Sequence, residues 1–144
     1  MVLLVDTNVI LDCLTLREPF EIESGLILQY CGEGKITGCI AAHSITNSFY
    51  ILRKMFTAAE RKRLLFELCR FMEIANVEKS HVLNALKNEN FDDFEDCVQM
   101  ECAKAAGAEY IVTRDPGDYV NSDIPAISPR ELLSFLGDPY KGAS

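Results

Sequence analysis

Basic residues are scarce in this chain. Fourteen Lys and Arg stand against twenty-two Asp and Glu, for a formal net charge of -8. That deficit counts against a broad nucleic-acid-binding surface, because phosphate contacts draw on clustered Lys and Arg. No apolar run approaches the roughly 18 residues of a membrane span. The first apolar stretch, Met1 to Val5, reaches Asp6 after five residues and has no basic leader. It is too short for a signal peptide, and the expected location is cytoplasmic. No two of the six cysteines are spaced as a CxxC pair, and most sit among apolar neighbours, so buried reduced thiols are expected. There is no internal repeat, low-complexity tract or linker. At 144 residues the chain is the size of one ordinary domain.

What is present alternates. Val2-Leu3-Leu4-Val5 reads as a strand buried on both faces of a parallel sheet. Thr7-Asn8 then opens an apolar segment from Val9 to Leu14. Glu21 to Tyr30 reads as a helix ended by Gly32 and Gly34, and Ile36 to Ile40 as a second strand. From Ser44 to Phe56, Ile45, Phe49, Leu52 and Phe56 fall at helical spacing, with His43, Asn47, Tyr50 and Lys54 on the opposite stripe. Ala58 to Met72 is another amphipathic helix, followed by a short strand near Ile74 to Val77. Ser80 is placed as the N-cap of a helix through Leu86. Phe94 to Ala106 is a helix closed by Gly107. Tyr110 to Thr113 is a strand leading into the Asp115-Pro116-Gly117-Asp118 turn. Ile124 to Ile127 is a last strand, and Pro129 begins a final helix. The alternation predicts an α/β fold, a three-layer α/β/α sandwich with a short, mainly parallel sheet.

In such sheets the functional crevice lies beyond the carboxyl ends of the strands. Asp6 directly follows the first strand, and Asp115 lies two residues past the strand ending at Thr113. Asp92, Asp93, Glu95 and Asp96 cluster at the start of the helix that feeds that strand, with Asp93 and Asp96 on one face. Carboxylates converging at one edge repel unless they share a cation, and hard oxygen ligands suit Mg²⁺ or Mn²⁺. Phosphodiester hydrolysis is the natural reaction class for such a site. Plainer readings stand beside this one. Asp6, Asp93 and Asp96 could be helix-start acids, and Asp115 and Asp118 could be turn residues. His43 has no paired acid or nucleophile evident in the sequence. The basic residues Arg53 and Lys54, and Arg61 to Arg63, are grouped, so a groove flanked by them could hold a phosphate backbone.

Val5-Asp6-Thr7-Asn8-Val9-Ile10-Leu11-Asp12 resembles the first motif of PIN domains, whose Asp binds metal. Asp93-Phe94-Glu95-Asp96-Cys97-Val98-Gln99 resembles the third acidic motif, and Tyr110-Ile111-Val112-Thr113-Arg114-Asp115 with Asp118-Tyr119 resembles the closing one. The order and spacing hold from Val2 to about Leu136. The resemblance implies a PIN-like domain over residues 1–137, with 138–144 a frayed tail. It implies a metal-dependent endoribonuclease with Asp6, Asp96 and Asp115 catalytic. Asp6, Asp93, Asp96, Asp115 and Asp118 are the implied Mg²⁺ or Mn²⁺ ligands. Thr7, Asn47, Lys54, Thr113 and Arg114 are expected to support them or bind substrate. The second motif departs from the common pattern: Asn47 stands where most PIN nucleases place a Glu. Small PIN proteins are often VapC-type toxins, which implies an RNA substrate, a cognate antitoxin and a homodimer.

Two other functions compete. A PIN-like module with weakened metal affinity would bind RNA or a protein without cutting, a reading favoured by Asn47 and the acidic balance. A phosphoaspartyl enzyme or receiver also places Asp after the first strand. The dehalogenase pattern, however, needs a second Asp where Asn8 stands, and the paired acid and late Lys of a receiver are absent.

Overall fold

The computed structural model of the chain describes residues 1–140 and 142. Five strands form one sheet in the order β3-β2-β1-β4-β5. They are β1 (Val2–Val5), β2 (Thr37–Ala41), β3 (Glu73–Ala75), β4 (Tyr110–Val112) and β5 (Ala126–Ile127), and every neighbouring pair runs parallel. The helices are α1 (Thr7–Leu14), α2 (Glu21–Gly32), α3 (Ala42–Ile51), α4 (Ala58–Phe71), α5 (Lys79–Lys87), α6 (Phe94–Ala105) and α7 (Pro129–Phe135). Short 3₁₀ turns occupy Leu52–Lys54 and Pro116–Tyr119.

The unbroken apolar run of β1 is explained by its central place. Leu3 and Val5 face a core shared with α1, α2, α4 and α7, whereas Leu4 faces a second core under α5 and α6. All three side chains are fully buried. Each contributes about 1.5–3 kcal/mol of burial relative to exposure. Helices thus cover both faces of the sheet, which is the three-layer α/β/α sandwich expected from the alternation. The sheet also packs tightly beside β1. A Cβ added at Gly38 would stand 2.6 Å from both the Cys31 sulfur and the Met72 methyl. All six cysteines are free thiols, four of them buried.

Several boundaries differ from the sequence reading, each for a local reason. The apolar segment after Asp6 is helical from Thr7 onward, because the Asp6 side chain accepts from the Thr7 amide and caps α1. The helix begun near Ser44 does not run to Phe56. It tightens at Leu52 into a 3₁₀ turn, and a Thr57–Glu60 capping box starts α4. The N-cap of α5 is Glu78 rather than Ser80, with the His81 ring accepting from the Glu78 amide at 3.0 Å.

At the far end, the Tyr30 hydroxyl donates to Asp138 at 2.6 Å, and Tyr140 packs against the larger core. The expected tail continues through 141, 143 and 144, which lie outside the described residues. Among the described residues no helix is long and apolar enough to cross a membrane.

Candidate active site

The parallel topology brings the carboxyl ends of β1, β2 and β4 to one edge, and α6 starts above it. Asp6 leaves β1 there, α3 leaves β2, and Thr113 leaves β4. A groove of about 350 Å³ opens at this edge. Asp6, Asp96, Asp118 and Glu95 line it together with Asn47 and Tyr50, and no Lys or Arg among the described residues does.

Asp6 is buried and densely held. The Thr7 amide donates to its Oδ1 at 2.7 Å, and the Thr113 hydroxyl to its Oδ2 at 2.9 Å. The Tyr119 hydroxyl lies 3.2 Å from Asp6 Oδ2 and 3.3 Å from Asp96 Oδ1. One phenolic proton therefore serves two carboxylates from different elements. Burial pushes Asp6 up to about 6, against hydrogen bonds that work the other way, the Thr113 hydroxyl foremost. Asp96 rises to about 7, through burial first and then the charges of Asp93, Asp6, Glu95 and Asp118. Burial, followed by the charges of Asp6 and Asp96, keeps the Tyr119 phenol protonated. Burial is the larger cause at both acids, and like charge from neighbouring carboxylates adds to it.

A fully buried polar cluster supports Asp6 from below. Gln99 donates to Ser44 at 2.9 Å and reaches Asp6 and Thr7 at 3.4 Å, while the Thr7 hydroxyl donates to Ser44 at 2.9 Å. On the β4 side, Thr113 accepts from the Asn8 amide at 3.1 Å and from the Asp115 backbone at 3.2 Å. Neither Gln99, Ser44 nor Tyr119 was singled out from sequence. The available signal was a Gln flanked by core residues on the buried side of α6.

The remaining expected site residues are placed differently. Asp93 caps α6, its Oδ1 accepting from the Asp96 amide at 2.9 Å, and it faces a separate hollow of about 200 Å³ beside Asn90 and Asn121. Asp96 and Asp118 form the wall between that hollow and the groove. Asp115 is more than half exposed and does not line the groove, because the Pro116–Tyr119 turn carries Asp118 inward instead. Arg114 turns away from the acids of the groove. Its Nη1 lies 2.8 and 3.0 Å from the two oxygens of buried Asp12, and its guanidinium sits over the Phe20 ring at 4.8 Å. Lys54 is exposed on the 3₁₀ turn, outside the groove lining. The tighter winding, with three residues per turn, rotates it away from the stripe of Asn47 and Tyr50. His43, unpaired in the sequence reading, has a partner: its Nε2 lies 2.9 Å from Glu95 Oε2.

The donor set fits a hard divalent cation. It offers carboxylate oxygens from three elements, with neutral amide and hydroxyl oxygens beside them, and no basic side chain among the described residues competes for them. Among the described residues no three His, Cys, Asp or Glu groups already stand within joint reach of one ion. Ligand closure would therefore need side chains to move.

An acid-lined groove at the carboxyl edge of a parallel sheet defines the class of this protein as an α/β fold with an oxygen-donor site. Residues 2–116 match the PIN domain, and the chain belongs to that family. Solved structures of similar fold agree. One is VapBC2 of Rickettsia felis bound to a DNA fragment of its promoter, at TM-score 0.69 and 12% identity, covering 89% of this chain and 98% of that one. Another is a toxin–antitoxin complex from Klebsiella pneumoniae, at TM-score 0.67 and 19% identity, with the same two coverages of 89% and 98%. The sarcin–ricin loop cleaving toxin VapC20 of Mycobacterium tuberculosis aligns at TM-score 0.61 and 12% identity over 76% of this chain and 86% of its own. No curated protein matches in sequence.

Proposed function

We propose that this protein is a metal-dependent endoribonuclease and the toxin half of a toxin–antitoxin pair. The observation that carries this reading is the Asp6–Tyr119–Asp96 contact at the edge of a groove that also holds Asp118 and Glu95. Two carboxylates raised to about 6 and about 7 form a charge cluster that a divalent cation would stabilise in its ionised form. Asp6, Asp96 and Asp118 are assigned as its ligands. Asp93 and Asp115 serve at the margin of the site, as the cap of α6 and the start of the Pro116–Tyr119 turn. Bound Mg²⁺ or Mn²⁺ would supply charge neutralisation and activation of water at the scissile phosphodiester.

The chain's own residues do the rest. Thr113 and Thr7 fix the Asp6 carboxylate, Tyr119 links Asp6 to Asp96, and Gln99 ties Asp6 to Thr7 and Ser44 beneath it. Exposed Tyr50 lines the groove with the Arg53 guanidinium 3.7 Å from its ring centre, an aromatic and basic pair suited to an RNA strand. One structure of similar fold is a toxin–antitoxin complex, which supports an antitoxin as partner here. A homodimer is the assembly to test first by light scattering. The expected cytoplasmic location belongs to this reading too, since free RNA and a cognate antitoxin meet there.

The test is cleavage of a single-stranded RNA by the purified chain. Cutting is expected with Mn²⁺ or Mg²⁺, and neither with EDTA nor in Asp96→Asn. A second reading, an RNA- or protein-binding module without cutting, is favoured by neutral Asn47 in the groove. Unchanged thermal stability across a Mn²⁺ titration, with RNA bound and intact, would decide for it.

A further inference from the structure

The first turns of α3 and α6 meet over the carboxyl edge, and one side chain from each joins them. His43 is the second residue of α3 and Glu95 the second of α6. A carboxylate only accepts, so His43 Nε2 donates to Glu95 Oε2 across 2.9 Å. His43 Nδ1 is buried without a hydrogen-bond partner, which leaves Glu95 as the one polar anchor of the ring among the described residues.

Glu95 lines the groove with Asp6, Asp96 and Asp118. Its charge is felt inside: it contributes to the upward push on Asp6, Asp96 and Tyr119. Pinning Oε2 restricts a side chain that otherwise has three free rotors, and among the described residues Oε1 has no hydrogen-bond partner. Asp93, another acid near this helix start, has its Oδ1 engaged by the Asp96 amide and faces the neighbouring hollow.

We propose that Glu95 is a direct ligand of the cation, and that His43 is the positioning residue that aims its carboxylate into the groove. This rests on the metal-dependent reading above. Ligating carboxylates are commonly fixed by a hydrogen bond from behind, and losing such a partner weakens metal affinity roughly 10–100-fold. His43 fills that place from the opposite helix.

The experiment is calorimetric titration of the full-length protein with Mn²⁺ alone, without RNA. Glu95→Gln, which keeps shape and removes charge, is expected to weaken Mn²⁺ affinity by roughly 10–100-fold. His43→Ala should weaken it by about 10-fold. His43→Gln, whose amide can still donate to Glu95, should recover most of the loss. The double variant Glu95→Gln/His43→Ala should bind no more weakly than Glu95→Gln alone, because His43 acts through Glu95. A tie with a purely structural role would lower the metal-free melting temperature of these variants and leave Mn²⁺ affinity unchanged, and that result overturns the proposal. If His43→Ala fails to fold, Glu95→Gln and His43→Gln carry the same decision. A wild-type chain that binds no Mn²⁺ overturns this inference together with the metal-dependent function. One that binds Mn²⁺ but cuts no RNA removes the nuclease reading and leaves the ligand assignment to be decided by the affinities.

Discussion

Arg114 holds Asp12 across the junction of β4 and α1, with one guanidinium nitrogen within 3.0 Å of both carboxylate oxygens. Asp12 is 2% exposed, and burial raises its pKa against the attraction of Arg114. Removing the guanidinium would leave that acid only the weaker attraction of Arg17. Arg114→Ala is expected to destabilise the fold by about 3 kcal/mol, the low end for a broken buried pair, since Asp12 can protonate. Chemical denaturation checks it. A loss under about 0.5 kcal/mol, the range of an ordinary surface substitution, with collapsed RNA affinity would return Arg114 to phosphate binding.

The groove acids set a pH dependence with a definite sign. Asp6 and Asp96 have folded pKa values near 6 and 7, above their ordinary 3.8, so the folded state binds more protons than the unfolded one between those values. Stability of the metal-free protein is therefore full below about pH 4 for these two groups and is lost as pH rises through about 6 to 7. Denaturation midpoints measured from pH 4 to 8 in EDTA should fall along this window, and saturating Mn²⁺ should flatten the fall. A midpoint that instead rises across it would mean that burial and neighbouring charge do not raise the two acids.

Asp6→Asn should abolish cleavage and remove the Asp6 share of that pH slope. At pH 8 without metal it is expected to be more stable than the wild type by about 1–2 kcal/mol, because one buried charge is neutralised. Asn retains a carbonyl oxygen for the Thr7 amide, so the cap on α1 survives. Clear destabilisation would show that capping outweighs repulsion at this position.

Asn47 and Asp93 can be separated by a pair of variants. Asn47→Glu adds a carboxylate to the groove and should tighten Mn²⁺ binding, since ligand charge governs hard-cation affinity. Asp93→Asn keeps an excellent N-cap and should change stability by only a few tenths of a kcal/mol. It should also weaken Mn²⁺ binding far less than Asp96→Asn does. If Asp93→Asn proves as damaging as Asp96→Asn, the acid that caps α6 is also a ligand. Isothermal titration of the three variants decides it.

The strands β1 and β4 were legible because they are largely buried and read as apolar runs, Val2 to Val5 and Tyr110 to Val112. Asp6 was legible because nothing separates it from β1. Asp118 and Asp115 could not be ranked in the same way. Both flank Pro116-Gly117, and only the 3₁₀ winding decides which turns inward. Glu95 and Asp93 pose the same problem at α6, where cap geometry engages Asp93 and frees Glu95. His43 lies 52 residues from its partner, so no local pattern reports the pair. Lys54 shares the helical stripe of Asn47 and Tyr50 only if the helix continues, and it stops at Ile51.

Asp6 has two employments, one in the groove and one as the cap that starts α1. A lineage that gave up catalysis would still be held to this residue by its need for a folded α1 and an occupied bond from Thr113. Asp118 carries no comparable duty: exposed on its turn, it is free to drift once the chemistry is abandoned. Among descendants of this chain, inheritance of Asp6 therefore says little about activity, whereas erosion at Asp118 would be the earlier mark of a retired enzyme.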